Sequence, residues 1–429
     1  MSKDGVNCSA CSQVFHPLAK ESACCPHAEP DVVDHHVIDT RDAYLTATAA
    51  IVGGTGPIGV DAERASGFTY SQRAYLIQIY RRGAGTFLFD PPAIGDFREL
   101  NDALVDEEWI FHAASQDLAC LREVGLDPAR IFDTELAARL LGMPRVGLGT
   151  VVEELLGIHL AKEHSAANWS TRPLPEAWLV YGALDVELLP NLRDQMVEML
   201  AADQKSVIAE QEFAAVLTRE TKPPLAEPWR RLSGVHSLRT QRNLAVAREL
   251  WLARDRLAQD IDVSPGRLVP DASLIAAARA LPTTRQGLAD LRDFSGRASR
   301  SELDRWWAAI QTGLAQTDLP SLRGNGDALP PPRAWADRNP EADLRFKAAR
   351  AVLAEISTEF LIPLENLVTP DYVRRMAWTP PEPIDAESVG QALAVLGARE
   401  WQIELTSQRI ADAFVDIHQT IVAASEADS

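Results

Sequence analysis

Three short runs carry the alternation of a strand: Gly59-Val60-Asp61-Ala62, Ala74 to Ile79, and Thr86 to Phe89. Successive strand side chains point to opposite faces, so such runs predict strands rather than helical turns. Arg82-Gly83-Ala84-Gly85 supplies a turn between the second and third, and the short connections predict an antiparallel meander. Upstream, Thr40 is placed to cap a helix reaching about Ile51. After Asp90 the pattern changes. A helix is expected over about Phe97–Val105, a strand at Trp109-Ile110-Phe111, and helices near Ser115–Val124, Glu135–Leu141 and Thr150–Leu156. A long helix follows from Pro175 to about Ala201, with Pro175 suited to a first turn. Hairpins followed by strand–helix alternation predict an α/β domain, a mixed sheet with flanking helices, over residues 36–210.

Beyond Lys222-Pro223-Pro224 no strand pattern returns. Helical spacing recurs in Leu244–Leu257, Leu274–Leu281 and Leu303–Ile310, which predicts an all-α domain over 225–315. Residues 316–338 are rich in Pro, Gly and Asp and are expected to be a linker. Helices resume at about Pro340–Phe360, Asp371–Ala377 and Glu387–Leu396, a second helical domain over 339–425. Gly266 to Asp271 and Glu365 to Asp371 both follow a long helix and precede a short one, which suggests an internal repeat.

The 429 residues are enough for several cores, and 46% hydrophobic content excludes wholesale disorder. No apolar stretch approaches the roughly 20 residues of a membrane span. Five cysteines and no export signal predict reduced thiols and a cytoplasmic location. Four of those cysteines fall in an N-terminal tail, residues 1–35, where Cys8 and Cys11 could form half of a zinc site completed by Cys24, Cys25 or His27. Cys120 reads as a packed helix residue. A net charge of −19 argues against nucleic acid as a partner, yet it hides an exception. Trp229 to Arg305 holds 14 Arg, no Lys and 9 acidic residues, and an Arg-rich face suits phosphates.

Asp61 and Glu63 are two apart on a strand and so project from one face. Asp117 opens the helix after the Phe111 strand, where the helix dipole alone would account for an acid. Tyr181 and Asp185 are four apart on the long helix and share a side. Four converging carboxylates would repel one another and resist ionisation. Two divalent ions about 3.5–4 Å apart would neutralise them and clamp the attacking and leaving oxygens of a phosphodiester. All-oxygen ligands favour Mg²⁺ or Mn²⁺.

These residues and their neighbours resemble a known family. Asp61-Ala62-Glu63, the Asp117 region and Tyr181-x-x-x-Asp185 are similar to the three motifs of the DEDDy 3′→5′ exonucleases, ribonuclease D most of all. Phe111 to Leu118, Phe132 to Glu135 and Trp169 to Pro175 extend the likeness over about residues 55–200. The resemblance implies a ribonuclease H-like fold and an exoribonuclease that removes nucleotides from RNA 3′ ends, tRNA precursors among its substrates. It further implies two Mg²⁺ or Mn²⁺ ions held by Asp61, Glu63 and Asp185, Asp61 bridging both, with Asp117 acting largely through water. Tyr181 would orient the attacking water. Asn168 stands where relatives commonly have Asp, and Gly182 where Ala is usual.

Arg248 to Ala258 and Pro265 to Asp271 resemble the helicase-and-RNase-D C-terminal (HRDC) domain, a small helical nucleic-acid-binding bundle. That likeness makes Arg248, Arg254, Arg256 and Arg267 candidate phosphate contacts. Pro363 to Pro370 and Gly397 to Trp401 resemble the HRDC-like tail of actinobacterial-type ribonuclease D. A DNA exonuclease on the same fold and a catalytically silent adaptor are the alternatives. An adaptor has no need of all five of Asp61, Glu63, Asp117, Tyr181 and Asp185.

Overall fold

The structure, a computed structural model, describes residues 36–160, 166–219, 225–322 and 329–427. The candidate zinc residues Cys8, Cys11, Cys24, Cys25 and His27 lie outside them. The chain opens with β1 (Val37–Ile38) and α1 (Arg41–Val52), the latter capped by Thr40, whose hydroxyl accepts from the Ala43 N–H. Three longer strands follow, β2 (Thr55–Arg64), β3 (Ala74–Arg82) and β4 (Gly85–Phe89). Then come α2 (Pro91–Ile94), α3 (Arg98–Leu104), β5 (Glu108–Phe111), α4 (Leu118–Glu123) and β6 (Arg130–Asp133). The six strands form one sheet in the order β1-β4-β3-β2-β5-β6. β2, β3 and β4 are the expected antiparallel meander, while β5 pairs parallel to β2, and β6 parallel to β5. β1 and β6 carry no predictive pattern, because two and four residues are too short to display a period.

Helices α5 (Thr134–Leu140) and α6 (Leu148–Leu156) follow, then α7 (Glu176–Glu187), α8 (Leu189–Ala202) and α9 (Ser206–Thr218). The expected single helix from Pro175 to Ala201 is two, broken at Leu188. Pro190 is the cause: it lacks an N–H, and its ring crowds the carbonyl four residues back, that of Val186. The end of α7 rests directly on β2. A Cβ on Gly59 would lie 2.6 Å from the Val186 carbonyl oxygen, so only glycine permits this approach.

The first helical unit comprises α10 (Gln241–Asp260), α11 (Pro265–Leu268), α12 (Asp271–Ala280), α13 (Arg285–Asp290) and α14 (Leu303–Ala315). It has its own core, centred on Trp229, Leu250, Phe294 and Trp306. The second contains α15 (Trp335–Arg338), α16 (Pro340–Phe360), α17 (Leu364–Leu367), α18 (Pro370–Trp378), α19 (Ala386–Leu396) and α20 (Glu400–Ala427). Its packing begins inside the stretch expected as linker: Trp335 is fully buried, 5.0 Å from the Trp378 ring. The two units repeat one device. A long helix (α10, α16) leads to a one-turn helix, an extended valine (Val269, Val368) and a second helix entered through proline.

Apolar burial in the second unit is continuous with the core under the sheet. Glu212 of α9 fastens the two, accepting from Arg399 Nη2 at 2.7 Å and Trp401 Nε1 at 2.8 Å. Helix α20 has no clear apolar stripe in sequence because Gln402, Thr406 and Ser407 occupy buried positions on it. Their polar atoms are satisfied locally, for example Thr406 Oγ1 donating to the Gln402 carbonyl at 2.6 Å.

Candidate active site

β2 is the central positioning element. Asp61 and Glu63 project from the face on which α7 lies, and Asp185 of α7 meets them there. One ligand oxygen from each of Asp61, Glu63 and Asp185 falls within 4.8 Å of the others. Asp117 and Tyr181 line the same cavity, of about 610 Å³. Tyr181 donates its hydroxyl hydrogen to Asp185. The structure therefore brings all five sequence candidates to one place, from β2, the start of α4, and α7.

Asp117 reaches the cavity through a strained turn. Ala113 adopts φ 67°, a left-handed conformation rare for alanine. Asp133, which precedes α5, holds that turn: its carboxylate accepts from Ala113 N at 3.1 Å and Ala114 N at 2.9 Å, as well as from Glu135 and Leu136 N–H groups. Asp117 makes no side-chain capping bond to α4, so its carboxylate is left free to face the cavity. A dipole-stabilising cap is thus not its role.

The electrostatics fit a cation site. Burial first, and then neighbouring carboxylates, push Glu63 up to about 10. Burial and Asp61 push Asp185 up to about 8. Burial pushes Asp61 up to about 6 against the pull of its backbone hydrogen bond and of Arg64. Asp117 lies well above the usual carboxylate range for the same reasons, burial and then Asp61. Arg64 is the only Arg or Lys among the described residues lining the cavity. One guanidinium cannot neutralise four acids, whereas hard divalent cations with oxygen ligands can.

A stability test follows. Folded-state values above the unfolded ones mean that these groups favour the metal-free fold most below about pH 4. That contribution is lost as pH rises through about 6, 8 and 10. Mg²⁺ needs the ionised carboxylates, so the rise in Tm on replacing EDTA with Mg²⁺ should grow from pH 5.5 to 8.5. Scanning fluorimetry across that range checks it; an increment that is flat or shrinks with pH contradicts a carboxylate metal site.

Arg64 and His112 are cavity residues that the sequence does not single out. Arg64 adjoins Glu63, and that adjacency was the available signal. His112 Nδ1 lies 2.9 Å from Thr134 Oγ1, and burial lowers its pKa to about 4, so it faces the cavity as a neutral ring. Cys120 is buried and its thiol is pushed up to about 12, chiefly by burial, which agrees with a packing role. Asn168 accepts from Ser170 Oγ at 2.6 Å and makes no ion pair. The charge contact in that region is made instead by Arg172, which donates to Asp90 at 2.6 Å and to the Tyr75 carbonyl at 2.8 Å.

The proposed phosphate-contact arginines divide. Arg254 is buried and donates to the Val269 carbonyl at 2.7 Å and to Asp271 at 2.8 Å, so it is a core tie and not a phosphate contact. Arg267 donates to the Gly67 carbonyl at 2.6 Å and lies 3.9 Å from the Phe68 ring centroid, docking the first helical unit on the β2–β3 loop. Asp262 strengthens that docking by accepting from Ser71 N at 2.8 Å. Arg248 is half-buried against Glu249 at 3.2 Å. Of the four, Arg256 and Arg267 are exposed, and Arg256 alone has neither a hydrogen bond nor an ion pair among the described residues. A residue pattern shows where arginines fall on a helix, but not that a buried carbonyl claims one of them.

A mixed six-stranded sheet with this four-carboxylate, one-tyrosine cluster over its centre defines a metal-dependent 3′→5′ exonuclease. Residues 36–201 match the 3′–5′ exonuclease family, residues 243–310 the HRDC domain, and residues 328–414 a 3′ to 5′ exonuclease C-terminal domain. Ribonuclease D of Escherichia coli K12 is 30% identical over 342 residues, covering 79% of this chain and 88% of that protein. Ribonuclease D of Pseudomonas paraeruginosa is 31% identical over 303 residues, covering 69% and 77%. The chain belongs to the ribonuclease D family and is a 3′→5′ exoribonuclease. Among solved structures, a protein from Bifidobacterium adolescentis is 36% identical with a TM-score of 0.82, covering 88% of this chain and 96% of that one. The fold is shared with E. coli RNase D at 24% identity and a TM-score of 0.65, with 90% and 98% covered.

Proposed function

We propose that Asp61, Glu63 and Asp185 ligate two Mg²⁺ or Mn²⁺ ions, with Asp117 contributing through water, for stepwise removal of nucleoside 5′-monophosphates from RNA 3′ ends. The observation that carries this is the trio of carboxylates within 4.8 Å, with Asp117 and Tyr181 on the same cavity. Two such ions, when bound, supply Lewis-acid stabilisation to the attacking and leaving oxygens of the phosphodiester. Asp61, on β2 beside both Glu63 and Asp185, would help to hold both ions. Tyr181 is not the base: burial and the surrounding carboxylates raise its pKa above its ordinary value, so the phenol keeps its proton. It orients the attacking water by hydrogen bonding. Neutral His112 adds no positive charge to the site.

The substrates we propose are structured RNAs with free 3′ ends, tRNA precursors among them, in the cytoplasm, where thiols such as Cys120 stay reduced. Support comes from the E. coli RNase D that shares the fold, which is described as an exoribonuclease involved in structured RNA processing. Arg256 and the exposed Arg292, Arg297 and Arg300 of the first helical unit offer phosphate contacts beyond the cavity. The test is a hairpin RNA with a single-stranded 3′ tail, labelled at either end, beside DNA of the same sequence. A 3′ label should appear at once as mononucleotide and a 5′ label as a descending ladder, from RNA more than from DNA and only without EDTA. Mononucleotide released first from the 5′ end, or turnover in EDTA, overturns the assignment.

A further inference from the structure

Gln78 is fully buried, and neither its amide oxygen nor its amide nitrogen has a hydrogen-bond partner among the described residues. An unpaired buried amide is costly, so native folds keep few of them, and each calls for an account. The position of Gln78 supplies one. It stands directly opposite Asp61 in the β2–β3 pair. Opposed residues of an antiparallel pair project from the same face, with Cβ atoms about 5 Å apart. Helix α7 closes that face: a Cβ on Gly182 would lie 2.9 Å from Gln78 Nε2. Gly182 follows Tyr181 and precedes Asp185 by three residues, one helical face. The amide is thus enclosed between the strand that carries Asp61 and Glu63 and the helical turn that carries Tyr181 and Asp185. Its neighbour on β3, Leu76, faces Glu63 and offers no polar atom.

Resting on the two-ion reading above, we propose that Gln78 is a positioning residue for the metal centre, its Nε2 donating to the Asp61 carboxylate, directly or through one water, in the loaded site. Carboxylate ligands keep lone pairs that outer hydrogen-bond donors orient, and losing such a donor weakens metal binding roughly 10–100-fold. Gly182 then has a purpose beyond helix propensity, because it leaves the space that the amide occupies. The glycine that looks like a departure from the family is the complement of this glutamine.

Gln78→Met keeps the length of the side chain and removes both polar atoms. Calorimetric titration of the full chain with Mn²⁺ should give a Kd roughly 10–100-fold weaker than wild type, while Tm in EDTA stays unchanged or rises, because an unpaired amide has left the core. Gln78→Asn, which retains an amide, should recover part of the affinity. A Kd within twofold of wild type, with a raised Tm in EDTA, overturns the assignment and makes Gln78 an ordinary unsatisfied core residue. If the wild type itself takes up no Mn²⁺, the two-ion reading falls and this one with it. Should the Met variant misfold, wild-type protein labelled at glutamine nitrogen gives the same decision. The Gln78 side-chain amide protons should shift and exchange more slowly on addition of Mg²⁺, and no response overturns the proposal.

Discussion

Asp61→Asn should lower kcat by roughly 1,000-fold or more at saturating Mg²⁺, about 4 kcal/mol of barrier, while RNA affinity stays within about threefold. Asp61 is the acid on which the others converge: its oxygen lies within 4.8 Å of those of Glu63 and Asp185, and its charge raises Asp117 as well. The amide keeps the shape and can still offer an oxygen, but it removes the negative charge that Asp61 would supply to the proposed ions. The RNA contacts proposed beyond the cavity are untouched, so binding and turnover should separate. The same variant should raise Tm in EDTA, because one of four mutually repelling acids is gone. Single-turnover cleavage with enzyme in excess, set beside RNA binding in EDTA, checks both parts. Cleavage at even a tenth of the wild-type rate would remove Asp61 from the metal centre.

The convergence of the candidate site residues was legible because they obey short-range geometry. Asp61 and Glu63 share a face by strand period, Tyr181 and Asp185 by helical period, and both periods survive folding. What the periods leave out is why the two faces meet. That depends on Gly59, whose missing Cβ lets the end of α7 approach β2, and on Pro190, which ends α7 just past Asp185. Neither reads as a catalytic residue in isolation. Asp133 is a similar case. Two of its four backbone N–H contacts, from Ala113 and Ala114 about 20 residues away, hold the turn that sets where Asp117 points, while the other two, from Glu135 and Leu136, cap α5.

The Arg-rich segment shows the opposite situation. Its charge was legible and its use was not. Arg254 and Arg267 donate to the carbonyls of Val269 and Gly67, the first buried and the second exposed, because a guanidinium has five donors and satisfies backbone oxygens as well as phosphates. Helix α20 was missed for a related reason. Buried Gln402 and Thr406 satisfy their polar atoms within the fold and so take positions where an apolar stripe would have announced the helix.

Tyr181→Phe isolates a single hydroxyl. The ring remains packed near Trp178, against the small cluster that includes Trp169 and Leu179, so folding should be unaffected. What disappears is the hydrogen that Tyr181 donates to Asp185 and, on the mechanism proposed here, to the attacking water. Loss of the donor has two separable consequences. Asp185 loses a hydrogen bond that lowers its pKa, so Mg²⁺ binding should need slightly higher pH. The water loses its orientation, which should lower single-turnover cleavage by roughly 10- to 1,000-fold, or about 1.4–4 kcal/mol. If the phenol were the general base, the variant would also lose a rise in rate toward alkaline pH. Because the hydroxyl stays protonated throughout the working range, the rate at saturating metal should fall by the same factor across the neutral and alkaline range. Cleavage at the wild-type rate with metal and enzyme saturating would make Tyr181 a packing residue, and loss of an alkaline rise would return it to proton transfer.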